Sequence, residues 1–389
     1  MNAELVRLIA AQVCIHACMT GLRMATPLLA LREGFSPAAV GFLLALFALT
    51  QVFLALPAGR FADLNGLRKP VRWSIVVAVL GAGVAVIWPV YPVLCIAALA
   101  SGGATGVATI ALQRHVGRAV HSTTQLKQVF SWLALGPAVS NFIGPFCAGL
   151  LIDHAGTTAG DTTGYRAAFL LMAVFPLAAW WWVHRVKELP PVVADANGPR
   201  RAWDLLGEPM FRRLLIVNWI LSSCWDVHTF VVPIIGHERG LSASVIGSIL
   251  GAFALAAAAV RVALPILAER LREWAVISGA MLMTAVLFSI YPLLHSALAM
   301  GACSVLLGIA LGSVQPMVMS TLHQITPEAR HGEALGLRLM AINASSVTMP
   351  MLFGALGAVI GVAGVFWIVG AVVGVATRSA WQLRPAASV

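Results

Sequence analysis

One carboxylate, Asp226, lies deep in an apolar run, within Ser222-Ser223-Cys224-Trp225-Asp226-Val227-His228. Placing a charge there costs roughly 2.5–3.5 kcal/mol on membrane-insertion scales, so a group kept at such a site is expected to have a task. It follows Arg212 by about fourteen residues, roughly 21 Å of helix, which sets it just beyond a bilayer midplane. A carboxylate so placed suits proton binding and release. Arg23, in the first apolar run, is its candidate counterpart. Three roles stay open for it: an ion pair with Asp226, bidentate recognition of an anionic solute, or snorkelling to the outer interface.

Around these two stand neutral and aromatic candidates for a solute site. His16 and Thr20 share the run of Arg23, while Trp225 and His228 flank Asp226. His228, two residues on from Asp226, faces another side of the helix. Gln315, beside Pro316, and Asn343 are amides in apolar surroundings, and each must find a partner in the protein or water in a cavity. Gln51 and Asn141 pose the same question, and interhelical bonding answers it equally well. Trp219 and Trp225 suit stacking on a solute or packing in the core. Cys14 and Cys18 flank His16, yet i, i+4 spacing sends both cysteines to one face and His16 nearly to the opposite one. No metal site is expected, and no cofactor. Arg261 and Arg338 read as markers of the membrane interface.

The elements that must hold these residues are membrane helices. The chain of 389 residues is 60% hydrophobic and 10% charged, with a mean hydropathy of +0.89. A water-soluble domain carries about 45–50% apolar and about 25% charged residues. Windows of about 20 apolar residues give twelve spans, at about 5–31, 36–58, 71–90, 93–113, 128–152, 166–184, 212–236, 243–265, 274–292, 295–322, 333–357 and 361–380. The first run is long enough to span and lacks a small-residue cleavage site, so it reads as a helix rather than a removable signal. The six cysteines all fall inside apolar segments and read as small core residues.

The net charge of +10 is distributed in short clusters between the apolar runs, which excludes a nucleic-acid face. With the N-terminus inside, 21 of the 25 basic residues lie on the inner side, which makes both termini cytoplasmic. The polar stretch 185–213 holds Pro190-Pro191 and mixed charge, and reads as a linker. The expected organisation is a six-helix bundle over 1–184, a cytoplasmic linker over 185–211 and a second six-helix bundle over 212–389.

The two halves repeat. Phe47-Ala48-Leu49 recurs as Phe253-Ala254-Leu255, Gly102 and Gly106 as Gly308 and Gly312, and Asp63 as Glu269, all at an offset of 206. A shared offset across several helix pairs points to tandem duplication. Duplicated halves with a solute site between them near the midplane are a recurring transporter design.

Between the second and third spans the chain reads Gly59-Arg60-Phe61-Ala62-Asp63-Leu64-Asn65-Gly66-Leu67-Arg68-Lys69. It resembles the signature loop of the major facilitator superfamily, with Gly59, Asp63, Gly66, Arg68 and Lys69 at matching positions. Leu64 and Leu67 stand where the family commonly has basic residues. The resemblance implies a cytoplasmic gate, in which Asp63 is expected to meet Arg114, Arg118 or the start of the eleventh span near Gly332 to Leu335. The fifth span holds Ser140-Asn141-Phe142-Ile143-Gly144-Pro145-Phe146-Cys147-Ala148-Gly149. It resembles the helix-packing motif of that family's drug–proton antiporters, carried here by Gly144, Pro145 and Gly149. The arginine those antiporters often hold before the glycine-rich stretch of the fourth helix is missing ahead of Gly102.

Fold and function expected together are therefore an all-α, twelve-helix transporter of two pseudo-symmetric bundles in the inner (plasma) membrane, acting as a monomer. Its partners are a small-molecule substrate, protons and membrane lipid. Proton-coupled efflux leads, with proton-coupled uptake of a small anionic solute as the alternative. An enzyme is not expected, since no His-Glu-x-x-His, nucleophile elbow or phosphate loop is present.

Overall fold

The computed structural model describes residues 3–120, 122–155, 161–189, 201–241 and 243–384. Among them there are helices and no strands, and eleven helices are long and apolar enough to cross a membrane. The twelve α-helices of the described residues are, in order, α1 (Ala3–Arg32), α2 (Pro37–Asn65), α3 (Arg68–Ile87), α4 (Tyr91–Arg118), α5 (Thr123–Leu133), α6 (Leu135–Ala155), α7 (Thr163–Val183), α8 (Pro209–Glu238), α9 (Ala243–Leu267), α10 (Glu273–Ile290), α11 (Ala297–Ile325) and α12 (His331–Trp381), α5 and α6 together making one of the eleven. The expected fifth span is continuous except at Ala134, which separates α5 from α6. The last two expected spans form the 51-residue α12, broken at Gly361, whose φ of 77° no other residue adopts cheaply. Residues 190–200 of the expected linker lie outside the described residues.

Two compact units form, and neither matches a sequence half. Unit 1 comprises Met1–Val120, Leu133–Gly198 and Pro327–Asn343; unit 2 comprises His121–Trp132, Pro199–Thr326 and Ala344–Val389. In unit 1, α1 packs on α4, α6 and α7, while α4 also meets α2 and α3. Leu22, Leu43, Phe47, Leu94, Phe169 and Met172 fill its centre. In unit 2, α11 packs on α8, α9 and α10, and Phe253, Phe288, Tyr291 and Phe366 are its largest buried side chains.

Small residues set the closest helix crossings, and the repeat is visible in them. A Cβ on Gly102 would strike the carbonyl of Phe47 in unit 1, and one on Gly308 would strike the carbonyl of Phe253 in unit 2. One turn further, Gly106 faces Gln51 and Gly312 faces Ala257. Every partner is displaced by 206 positions. Both α2/α4 and α9/α11 therefore cross backbone to backbone, the arrangement that small-residue motifs permit where lipid supplies no hydrophobic drive between helices.

Candidate functional site

Asp63, in the last turn of α2, is a buried and closely coordinated charge in unit 1. Its Oδ1 accepts from Arg114 Nε at 2.5 Å and from the backbone N–H of Gly332 at 2.9 Å, and its Oδ2 accepts from the N–H of Glu333 at 3.1 Å. Arg114 Nη2 also donates to the Asp63 carbonyl at 3.2 Å. The side chains of Arg114 and Asp63 are only 3% and 9% exposed. A carboxylate survives such burial because the first N–H groups of a helix lack intrahelical partners and carry its positive dipole end, and α12 presents that end here. Gly59 and Gly332 make the approach feasible, since a Cβ on either would collide with the backbone of the other.

A second layer of charge surrounds the pair. Glu333 accepts from Arg60 Nε and Arg330 Nε, each at 2.9 Å, one on each oxygen. Arg118 does not reach Asp63; its Nε donates to Glu328 Oε1 at 2.6 Å. That bond, with Arg118's charge behind it, holds the Glu328 carboxyl below its ordinary range. Arg68 and Lys69, expected at the gate, are not among the groups on Asp63. Arg68 Nη2 donates to the Val186 carbonyl at 2.8 Å, and Lys69 Nζ to Asn65 Oδ1 at 2.8 Å. Gly66, at a φ of 72°, ends α2 and leaves room for Glu188, which accepts from the N–H of Leu67 at 2.6 Å and of Arg68 at 3.0 Å. Glu188 thus caps α3, a role the sequence analysis did not assign.

Also in unit 1, α1 carries His16, Thr20 and Arg23 at i, i+4 and i+7, one stripe of the helix. His16 Nδ1 lies 2.7 Å from Ser140 Oγ, and Thr20 Oγ1 donates to the Ser140 carbonyl at 2.9 Å. Ser140 Oγ in turn donates to the Gly136 carbonyl at 2.9 Å, which leaves His16 Nδ1 as the donor to Ser140. The close approach of α6 to α1 rests on Gly144, where a Cβ would lie 2.5 Å from the Ala17 carbonyl and 2.8 Å from Gly21 N. Pro145 lies inside α6, and Gly149 faces Met24. Thr20 is buried, His16 half-buried and Arg23 exposed. Asn343 Nδ2 donates to the Leu339 carbonyl of its own helix at 2.8 Å.

In unit 2, Trp225 meets Phe253 edge-on at 4.5 Å, and the Arg261 guanidinium lies 5.8 Å from the Trp225 ring. Asp226 is half-buried beside them on α8, as is Gln315 on α11. His228 is another matter. It is fully buried, stacked on Phe253 at 4.1 Å, with Nε2 2.9 Å from Ser304 Oγ, which also lies 2.9 Å from the Tyr291 hydroxyl. In this structure it is a core residue rather than part of a wet surface. The reading of Arg261 and Arg338 as interface markers is also corrected, since they are only 9% and 5% exposed. Arg338 Nε has no hydrogen-bond partner among the described residues. The six cysteines are unpaired thiols, and no group of three metal-ligating side chains occurs among the described residues.

An all-helical chain with this many apolar helices and buried charges at their ends belongs to the class of multi-pass membrane proteins. The family model of the Major Facilitator Superfamily matches residues 8–234 and 214–387, and the chain belongs to that superfamily of membrane transporters. No curated protein matches it in sequence. Among solved structures it resembles a bacterial homologue of the iron transporter ferroportin in an outward-facing state, at 16% identity and a TM-score of 0.79, over 99% of this chain and 100% of that one. It also resembles the human organic anion transporter MFSD10 (TETRAN), at 15% identity and a TM-score of 0.76, over 98% of this chain and 100% of that one. At such identities the likeness is one of fold.

Proposed function

We propose that the protein is a secondary active transporter that exports small organic molecules in exchange for protons by alternating access. In this reading the chain crosses the plasma (inner) membrane twelve times, with both termini cytoplasmic and α12 contributing two spans on either side of Gly361. Halves 1–184 and 212–389, joined by 185–211, are the moving bodies. The observation that carries it is the Asp63 cluster. A buried carboxylate held by one arginine and two amides at a helix start is a contact that can be made and released as a whole, as a cycling gate requires. Gly59, Gly66, Arg60, Glu333 and Arg114 support that gate, with Arg68 and Lys69 beside it. Asp226 is the proton carrier. Arg23, His16, Thr20, Trp225, Gln315 and Asn343 are the solute contacts, and His228 supports them from the core. The Gly144-Pro145 crossing of α6 with α1 favours the drug–proton antiporter branch. Purified protein in vesicles of both orientations, under an imposed pH gradient, tests the reading. Solute should move against the proton flux, and Asp226→Asn should abolish the pH dependence. Movement unaffected by the gradient would overturn it.

A second reading, uptake of a small anionic solute with protons, draws on Arg338. A buried guanidinium whose Nε has no partner among the described residues favours an incoming anion. The organic anion transporter among the structural neighbours is consistent with it through fold alone. Arg338→Gln should remove saturable uptake of carboxylate solutes and leave neutral ones unaffected.

A further inference from the structure

Unit 1 has a groove of about 430 Å³ on the side of α2, α3 and α4. Thr50, Leu54 and Phe61 of α2, Trp73 and Val77 of α3, and Ile96 of α4 form its walls. From Thr50 to Phe61 is eleven residues, roughly 16 Å of helix, or about half of a ~30 Å hydrocarbon core. The slot therefore runs the depth of one leaflet. Leu54 and Thr50 pack closely on Gly103 within the groove; a Cβ there would lie 3.1 Å from Leu54 Cδ1 and Thr50 Cγ2.

The walls offer no free hydroxyl proton to a polar occupant. Thr50 Oγ1 is spent on the carbonyls of Leu46 and Leu99, both at 3.0 Å, and Ser74 Oγ on that of Pro70 at 3.0 Å. A polar molecule entering would lose its hydration without return. One end differs. Lys69 precedes Trp73 and Val77 at i, i+4 and i+8 and so shares their face one turn nearer the helix start. Its Nζ is 2.8 Å from Oδ1 of Asn65, which itself stands one turn beyond Phe61. Arg72, adjacent to Trp73, is exposed. Neither cation pairs with a carboxylate among the described residues.

We propose that this groove binds one acyl chain of an anionic phospholipid, with the lipid phosphate held at its mouth by Lys69 and Arg72. A dry slot one leaflet deep, ending at two uncompensated cations, is complementary to that shape and charge and to no soluble metabolite. Basic groups at a membrane surface each favour anionic headgroups, and two of them give a preference of about thirtyfold over a zwitterionic lipid of the same chains. The site is separate from the solute path proposed above and does not depend on the direction of transport.

The test uses the full chain in nanodiscs with chain-brominated phosphatidylglycerol or phosphatidylcholine, reading the fluorescence quenching that disappears in Trp73→Phe. The anionic lipid should reach half-quenching at about one thirtieth of the mole fraction that the zwitterionic one needs. Lys69→Gln with Arg72→Gln should bring the two lipids within about threefold of each other. Val77→Phe, an exposed position that narrows the slot from the lipid side without adding a tryptophan, should weaken the quenching by both, and Gly103→Leu should do the same from within the groove. Equal quenching by the two lipids in the unmodified protein would overturn the proposal. So would a headgroup preference that survives Val77→Phe, because it would then belong to the surface and not to the groove.

Discussion

Gly332 donates its backbone N–H to Asp63 at 2.9 Å, and the two residues stand 269 positions apart in the chain. The bond fastens the start of α12 to the end of α2 inside unit 1, and Arg114 completes it from α4. Three elements distant in sequence thus share one carboxylate.

Removing that carboxylate leaves Arg114 buried without its counter-charge. Asp63→Ala is expected to cost about 3–5 kcal/mol, the range for breaking one side of a buried pair. Asp63→Asn should lose less, since an amide oxygen still accepts from Gly332. Thermal melting of the purified variants in one detergent checks the order, and unfolding temperatures equal to that of the parent would refute the buried-pair reading.

Gly332→Ala should be worse than its size suggests. The added methyl would lie 2.8 Å from Asp63 Cγ and also overlap the Gly59 backbone, so the α2–α12 contact has to open. Transport should fall while the protein still inserts in the membrane. Gly83→Ala serves as the counterweight, because nothing lies within 4 Å of its added Cβ. In mid-helix that change is expected to stabilise by about 0.5–1 kcal/mol.

Acid should loosen the outer layer of the cluster. Glu328, held below its ordinary value of 4.5 by the Arg118 hydrogen bond, binds its proton less readily folded than unfolded. Its stabilising contribution is therefore present above pH 4.5 and is lost as pH falls through the lowered folded value. Because Glu328 is 55% exposed, the effect is small. Melting curves of the parent and Glu328→Gln between pH 3 and pH 7 should converge at the acid end, and a constant gap across that range would contradict the linkage.

His228→Phe keeps the stack on Phe253 but takes away one of the two partners of Ser304, leaving its bond to the Tyr291 hydroxyl. The expected loss is about 0.5–1.5 kcal/mol, the net worth of one hydrogen bond. Transport per folded molecule should stay near that of the parent. A selective loss of solute affinity, with melting unchanged, would return His228 to the solute site.

The helices and their repeat were legible because both rest on local regularities. Apolar runs of bilayer length mark the spans, and glycines spaced 206 apart mark crossings that the structure makes twice, at Gly102 on Phe47 and Gly308 on Phe253. Asp63 stood out by its loop, and the groups named for it at α4 and at the start of α12 are the ones found, except that Arg118 turns to Glu328. Glu188, Glu328 and Glu333 were not legible. Each is an ordinary charge in a polar stretch, and its partner is fixed only by how segments far apart come to lie side by side. The same holds for burial: Arg338 reads in sequence as a residue at a helix end and His228 as one flanking Asp226, and only packing decides that the first is a buried cation and the second a core ring.

Because the strip 327–343 belongs to unit 1, that unit cannot be finished when its own six helices have left the ribosome. At about 5–20 residues per second, Asp63 and Arg114 wait roughly ten seconds or more for the amides of Gly332 and Glu333 to be made. During synthesis the nascent N-terminal bundle therefore stands in the membrane with an unclosed polar notch. A ribosome stalled before codon 332 should leave a bundle that the cell's membrane quality-control proteases recognise as incomplete.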